Sequence, residues 1–171
     1  MTEDAPISAE LNDELHAAPT DASALHLRSA KAADLPEVLA WISAAAAAGR
    51  VLPMSAQTLA QRLRDLIVVE HEGVLVGLAS SAPLSAERGE IGLLLGHGPV
   101  VEQVLLDAVL DSLRGLGMVE AVAFTNSPAP LLAAGLRSIA RAEVPEKSLG
   151  ACLRCAAAPR CRRKALAISL V

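Results

Sequence analysis

The residues best suited to chemistry lie at 89–102, Gly-Glu-Ile-Gly-Leu-Leu-Leu-Gly-His-Gly-Pro-Val-Val-Glu. A strand over Ile91 to Leu95, a tight Gly96-His97-Gly98 turn and a helix opened by Pro99 fit this stretch. A glycine turn between a strand and a helix N-terminus is suited to phosphate, because free N–H groups point outward there. Gly96, His97, Gly98 and Val100 are the candidate anion-binding residues. Against that role, Pro99 removes one donor and Glu102 adds a negative charge to the first helical turn. No Lys or Arg lies between Arg88 and Arg114, and His97 would pair with phosphate only when protonated. A plain strand–helix turn is the alternative. Glu90, at the start of the strand, is the candidate general base; a solvated strand-end carboxylate is the alternative. Thr125 and Asn126 end a later strand and could touch cofactor or substrate, or simply begin a turn.

Cys152, Cys155 and Cys161 form a second cluster. As thiolates they could bind zinc, and the adjacent Arg154, Arg160, Arg162 and Arg163 favour thiolates electrostatically. Three ligands fall short of the four of a structural site, so a partner chain or water would have to complete it. Reduced free thiols in an ordered loop are the alternative reading. Three closely spaced cysteines do not suggest a secreted disulfide framework.

The elements that must position these groups follow from composition and pattern. At 171 residues the chain is long enough for one domain with a real core. The hydrophobic fraction is 53%, with no Tyr, one Phe and one Trp, so the core must be built from Ala, Leu and Val. The Ala-rich run Ala44 to Ala48 is too short, and too near Arg50, to span a bilayer. An acidic, polar start shows no secretory signal, which points to a cytoplasmic protein. The net charge of −4 is uneven: Glu3, Asp4, Glu10, Asp13, Glu14 and Asp21 precede any base, whereas bases dominate from Arg137 onward. That basic tail has no aromatics to stack on bases and no DNA-reading motif, which argues against nucleic acid as a partner.

Residues 1–23 read as an acidic, disordered extension with a short helix near Ala9 to Ala17, and 24–171 as the folded domain. A first strand alternates over Leu25 to Ser29. Asp34 is expected to cap a helix running to about Ala48, with Gly49 ending it and Leu35, Val38, Leu39 and Ile42 buried, Trp41 being a further candidate for that stripe. Ser55 caps a second helix through Leu59, Leu63 and Leu66. Ile67–Glu70 and Val74–Ala79 form a hairpin over His71-Glu72-Gly73, with Gly73 at positive φ. In the central helix Val101, Val104, Leu105, Ala108 and Leu113 face a sheet, and Gly115 or Gly117 ends it. A strand over Glu120 to Thr125, a short helix over Pro130 to Ala134, a strand over Arg137 to Glu143, a cysteine-bearing loop at 145–163 and a last strand from Ala165 complete the chain. The order β-α-α-β-β-β-α-β-α-β-β describes an α/β protein with a mixed central sheet flanked by helices.

That order, with Glu-Gly-Val-Leu-Val-Gly at 72–77, resembles the GCN5-related N-acetyltransferase (GNAT) fold. Val51-Leu52-Pro53-Met54-Ser55, Ala123-Phe124-Thr125 and Val144-Pro145-Glu146-Lys147, followed by C-x₂-C-x₅-C, are similar to the acetyltransferase domain of bacterial N-acetylglutamate synthases. The resemblance implies acetyl-CoA as cosubstrate and a small amine, an amino acid such as glutamate, as acceptor. It also implies that Leu93, Leu94 and Leu95 offer backbone groups to the pantetheine arm, and it admits a homodimer. The sequence departs from the family pattern in several places. Leu95-Gly96-His97-Gly98-Pro99-Val100 replaces Gln/Arg-x-x-Gly-x-Gly/Ala and shortens the turn. Met54 and Gly92 stand where family members carry Arg, and Tyr, a common general acid, is absent. A catalytically degenerate member that binds a partner or senses a ligand is therefore the alternative function.

Overall fold

The computed structural model describes residues 18–171. The short helix expected near Ala9 to Ala17, with most of the acidic extension, lies outside the described residues. Asp21 caps a single turn, Ala22–Ala24, by accepting the Ser23 N–H at 2.8 Å.

Among the described residues seven strands form one sheet. β1 is Leu25–Ser29, β2 Leu66–His71, β3 Val74–Pro83, β4 Arg88–Gly96, β5 Glu120–Thr125, β6 Arg137–Ile139 and β7 Lys164–Ser169. Their order across the sheet is β1-β2-β3-β4-β5-β7-β6, and every adjacent pair is antiparallel except β4 with β5. The parallel pair needs a crossover, supplied by α3 (Pro99–Gly115). α1 (Leu35–Ala47) and α2 (Ala56–Gln61) lie against the opposite face, and α4 (Ala129–Ala133) follows β5.

The core divides accordingly. Val101, Leu105, Leu106, Val109, Leu110 and Leu113 of α3 pack on Val69, Val76, Ala79, Ile91, Ala121 and Leu166 of one face. Val38, Ile42 and Ala45 of α1 and Leu59 of α2 pack on Val68, Leu78, Leu93 and Leu95 of the other. The hairpin turn is the two-residue type that matches strand twist, with both Glu72 and Gly73 at positive φ (52° and 79°). Gly117, at φ 79°, ends α3: its N–H donates to the Arg114 carbonyl, and the Met118 N–H to that of Leu113.

Three local expectations are corrected. α2 stops at Gln61, and Leu66 opens β2 instead of extending the helix, because the branched run Ile67-Val68-Val69 is paired and buried in the sheet. β6 stops at Ile139, where the Glu143 carboxylate accepts the Ala140 N–H at 2.7 Å and folds the chain into a turn. Asp34 precedes α1 but does not cap it through its side chain. Its carboxylate accepts Arg28 Nη1 and Nη2 at 2.7 and 2.9 Å, and the Lys31 N–H at 2.6 Å.

Arg28 also donates to Glu70, so one guanidinium ties β1, β2 and the start of α1 together. The Arg28 hydrogen bonds, with the Lys31 N–H, hold the Asp34 carboxyl down at about 2 despite its partial burial. A depressed carboxyl stabilises the fold above its unfolded value of 3.8, and that stability is lost as pH falls through about 2. Asp34→Asn should lower unfolding free energy at pH 7 by about 2 kcal/mol. In denaturant titrations the gap from wild type should close as pH approaches 2.

Among the described residues no helix is long and apolar enough to cross a membrane.

Candidate functional site

β4 and β5 diverge. Their parallel pairing runs from Arg88/Glu120 to Ile91/Ala123 and ends there. Beyond that point the β5-facing edge of β4, Gly92 to Gly96, has no strand partner among the described residues. Backbone groups on that edge are therefore available to an extended ligand. The resulting cleft, about 100 Å³, is lined by Leu94, Leu95, Ala123, Phe124 and Thr125, with Arg50 and Glu102 at one end.

A bulge at the branch point sets which side chains face which side. Between the pairs Ala79↔Leu94 and Ser81↔Ile91, β4 carries one more residue than β3. The extra residue reverses the alternation of the strand. Ile91 packs under α3, while Leu93 and Leu95 pack under α1. Glu90 and Leu93 consequently line the same cavity, although they are three residues apart. The Leu93 N–H donates to Ser80 Oγ at 2.9 Å, which satisfies the backbone at the bulge. A Cβ at Gly92 would stand 2.7 Å from that hydroxyl, so a larger residue there would have to turn the Ser80 side chain aside.

At the far end of the cleft, the α3 turn is only partly available to an anion. The His97 N–H donates to the Val76 carbonyl at 2.8 Å and so continues the sheet. The His97 ring stacks on Trp41, centroids 4.6 Å apart. The Glu102 N–H closes the first helical bond onto Gly98. The N–H groups of Gly98, Val100 and Val101 have no acceptor among the described residues. Gly98, at φ 90°, carries Ala18 so close that a Cβ would meet its methyl at 2.9 Å. The cation that is missing from the turn's own sequence arrives from the α1–α2 connection: Arg50 lies 3.6 Å from the Glu102 carboxylate. Nothing in the local sequence of either residue signals that pairing.

The Asn126 amide donates to the Gly49 carbonyl at 3.0 Å, and Asn126 lines the cavity on the α1 side. Thr125 Oγ1 accepts the Ser127 N–H at 2.9 Å and starts the turn after β5.

On the α1 side lies a cavity of about 860 Å³ that shares Val51, Gly92, Phe124 and Arg163 with the cleft. Its lining includes six bases, Arg62, Arg141, Lys147, Arg160, Arg162 and Arg163, against three acids, Asp65, Glu90 and Glu146. The cations expected at positions 54 and 92 are thus supplied by other segments, mostly the loop at 145–163. Glu90 lies in this cavity and forms an ion pair with Lys147. The neighbouring Glu146 takes Arg88 Nη1 at 3.0 Å. Arg88 and Glu90 are two apart on β4, so consecutive residues Glu146 and Lys147 clamp the cysteine loop onto one face of that strand.

Arg141, just ahead of the loop, reaches into it: its Nη2 approaches Cys161 Sγ at 3.5 Å and Cys152 Sγ at 3.9 Å, and the guanidinium lies 5.7 Å from the Phe124 ring centroid. Burial pushes the Cys161 thiol up, but the Arg163 N–H and the Arg141 guanidinium outweigh it and hold the thiol below its ordinary value. All three cysteines are free and half-buried. Among the described residues no group of three or more His, Cys, Asp or Glu is gathered to hold a metal ion.

This diverging parallel pair, with a helix tip at one end and a second cavity beyond, belongs to the acyl-CoA N-acyltransferase fold of the GNAT acetyltransferases. The N-acetylglutamate synthase of Neisseria gonorrhoeae, crystallised with coenzyme A and N-acetyl-glutamate, superposes with a TM-score of 0.76 at 24% identity over 86% of this chain. The chain spans only 35% of that protein's length. A Mycobacterium tuberculosis protein in complex with CoA gives a TM-score of 0.72 at 19% identity, covering 85% of this chain and 99% of its own. A putative acetyltransferase of Salmonella typhimurium with acetyl-CoA gives 0.60 at 17% identity, over 68% and 81% of the two chains. No family model matches the sequence, and no curated protein matches it.

Proposed function

We propose that the chain is an acetyl-CoA-dependent N-acetyltransferase acting on a small amine that carries negative charge, an amino acid such as glutamate. The observation that carries this reading is the loss of pairing beyond Ile91/Ala123, which opens an unpaired strand edge toward the α3 tip. The residues present fit the cofactor: a free strand edge suits its amide-bearing arm, and the N–H groups of Gly98, Val100 and Val101 suit its pyrophosphate. Bound coenzyme would supply an activated thioester. The Leu93 N–H is taken by Ser80 Oγ, so the backbone groups of Gly92 and Leu94 on the unpaired β4 edge are the ones that would face its carbonyl oxygen, where charge develops during transfer. Gly92 borders both cleft and cavity, so donor and acceptor would meet beside it.

Glu90 faces that junction from the cavity and already receives an ammonium, that of Lys147. An acceptor ammonium placed there could lose its proton to the same carboxylate. The excess of bases on the wall favours an acceptor bearing a carboxylate.

A silent version of the fold, binding a ligand or partner without turnover, is the second reading. It is favoured by Glu102 and Ala18 lying against the phosphate turn. A calorimetric and thermal-shift titration with acetyl-CoA separates the two. Saturation at about a hundredfold over Kd should stabilise the protein by about 2.7 kcal/mol. Glu102→Gln should tighten binding by removing a carboxylate from the turn. Absence of any melting shift at millimolar acetyl-CoA, in wild type and Glu102→Gln alike, would overturn the transferase reading.

A further inference from the structure

We propose that Cys161 and Cys152 are a peroxide-responsive thiol pair, bracketing Arg141 on the wall of the larger cavity. The geometry is a single guanidinium nitrogen shared by two sulfurs, Cys161 Sγ at 3.5 Å and Cys152 Sγ at 3.9 Å. Arg141 Nη1 also donates to the Cys161 carbonyl at 3.5 Å, which fixes the guanidinium on that residue. A cation against a sulfur favours its thiolate, the nucleophilic form. Both cysteines line a cavity large enough to admit a small hydroperoxide. Cys155 lines the same cavity but accepts no hydrogen bond from Arg141 among the described residues, so it provides an internal comparison.

The chemistry balances with a hydroperoxide as oxidant. Cys161 Sγ attacks the outer peroxide oxygen; an S–O bond forms, the O–O bond breaks, and the alkoxide or hydroxide leaves and takes a proton. Cys152 Sγ then attacks the oxidised sulfur; an S–S bond forms and water departs. In sum, two thiols and one hydroperoxide give one disulfide, one alcohol or water, and one further water. The sulfurs lose two electrons and the peroxide gains them.

The disulfide removes both sulfur partners from Arg141. That guanidinium lies 5.7 Å from the Phe124 ring centroid, and Lys147, the partner of Glu90, lies at the same distance from the same ring. Oxidation therefore reaches the wall on which the acceptor is proposed to bind. The effect on acceptor KM rests on the proposed transferase reading; the thiol chemistry does not.

The test uses the whole reduced protein, treated with hydrogen peroxide and read by intact mass and peptide mapping. The expected result is the loss of two hydrogens, a peptide linking Cys152 to Cys161, and full reversal by dithiothreitol. Cys152→Ser should leave a sulfenic acid on Cys161 that dimedone traps, whereas Cys155→Ser should oxidise like wild type. In wild type, iodoacetamide should label Cys161 faster than Cys155. If the transferase reading holds, oxidation should raise acceptor KM by about tenfold. Equal labelling of Cys161 and Cys155, a disulfide through Cys155 or between chains, or retention of one zinc per chain by the reduced protein would overturn the proposal. None of those outcomes would alter acetyl-CoA binding, so the two readings fail separately.

Discussion

Glu90→Gln is expected to lower kcat for acetyl transfer by about 10²–10⁴-fold, the range that a positioned general base contributes. The substitution keeps the size of the side chain and an oxygen that can still accept from Lys147. It removes the negative charge and the capacity to take a proton from an acceptor ammonium. Affinity for acetyl-CoA should not change, because Glu90 lines the larger cavity and not the cleft. Lys147→Gln supplies the contrast. It breaks the same ion pair and frees the cysteine loop at one point, yet leaves the carboxylate in place. Its effect should fall on acceptor KM, with kcat largely retained. Steady-state kinetics with both substrates varied separates these outcomes. A Glu90→Gln enzyme with the kcat of wild type would remove Glu90 from the chemistry.

Gly77→Ala should destabilise the protein by about 1–3 kcal/mol, the usual cost of overpacking a tight core. Gly77 lies on β3 beneath the first turns of α3. A Cβ there would stand 2.6 Å from Val101 Cγ1, 2.8 Å from Leu105 Cδ1 and 3.2 Å from the Leu95 carbonyl oxygen. Val101 and Leu105 are fully buried, and the branched Val101 has little rotamer freedom in a helix. The strain must therefore lift α3 or distort β4. Either movement displaces the α3 tip relative to the strand edge. Gly77→Ala should thus weaken acetyl-CoA binding while touching no ligand. In a chain of this size each kcal/mol lowers Tm by about 2–4 °C, so thermal melting reads the first effect and calorimetric titration the second. Gly150→Ala is the control: its Cβ would meet nothing within 4 Å, and its melting should match wild type. An unchanged Tm for Gly77→Ala would show that the helix and sheet are not in the close contact described.

Local pattern made most of the architecture legible. Alternation marked β1, the branched runs and the Glu72-Gly73 turn marked the β2–β3 hairpin, and three- and four-residue spacing marked α1 and α3. The errors fell where local signals compete with tertiary pairing. Leu66 fits both a helical stripe and the start of a strand, and the sheet claimed it. Asp34 has the form of a helix cap, but Arg28 captured its carboxylate. In sequence Phe124 is legible only as part of a motif, whereas in the fold its ring lies near both Arg141 and Lys147.

What the amino-acid sequence determined by itself was the order of elements, the glycine turn ahead of α3, and the presence of a carboxylate at the root of β4. Those follow from periodicity and turn chemistry, which act over a few residues. Tertiary structure alone decided which of these groups meet. Arg50 reaches Glu102, Lys147 reaches Glu90, and Arg141 reaches two cysteine sulfurs, across sequence separations that no local pattern encodes. The bulge at Gly92 is the clearest case. One extra residue in β4 reverses its facing and sets Glu90 and Leu93 on the same wall. The physical reason is that strand facing depends on register with the neighbouring strand, and register is a property of the folded sheet.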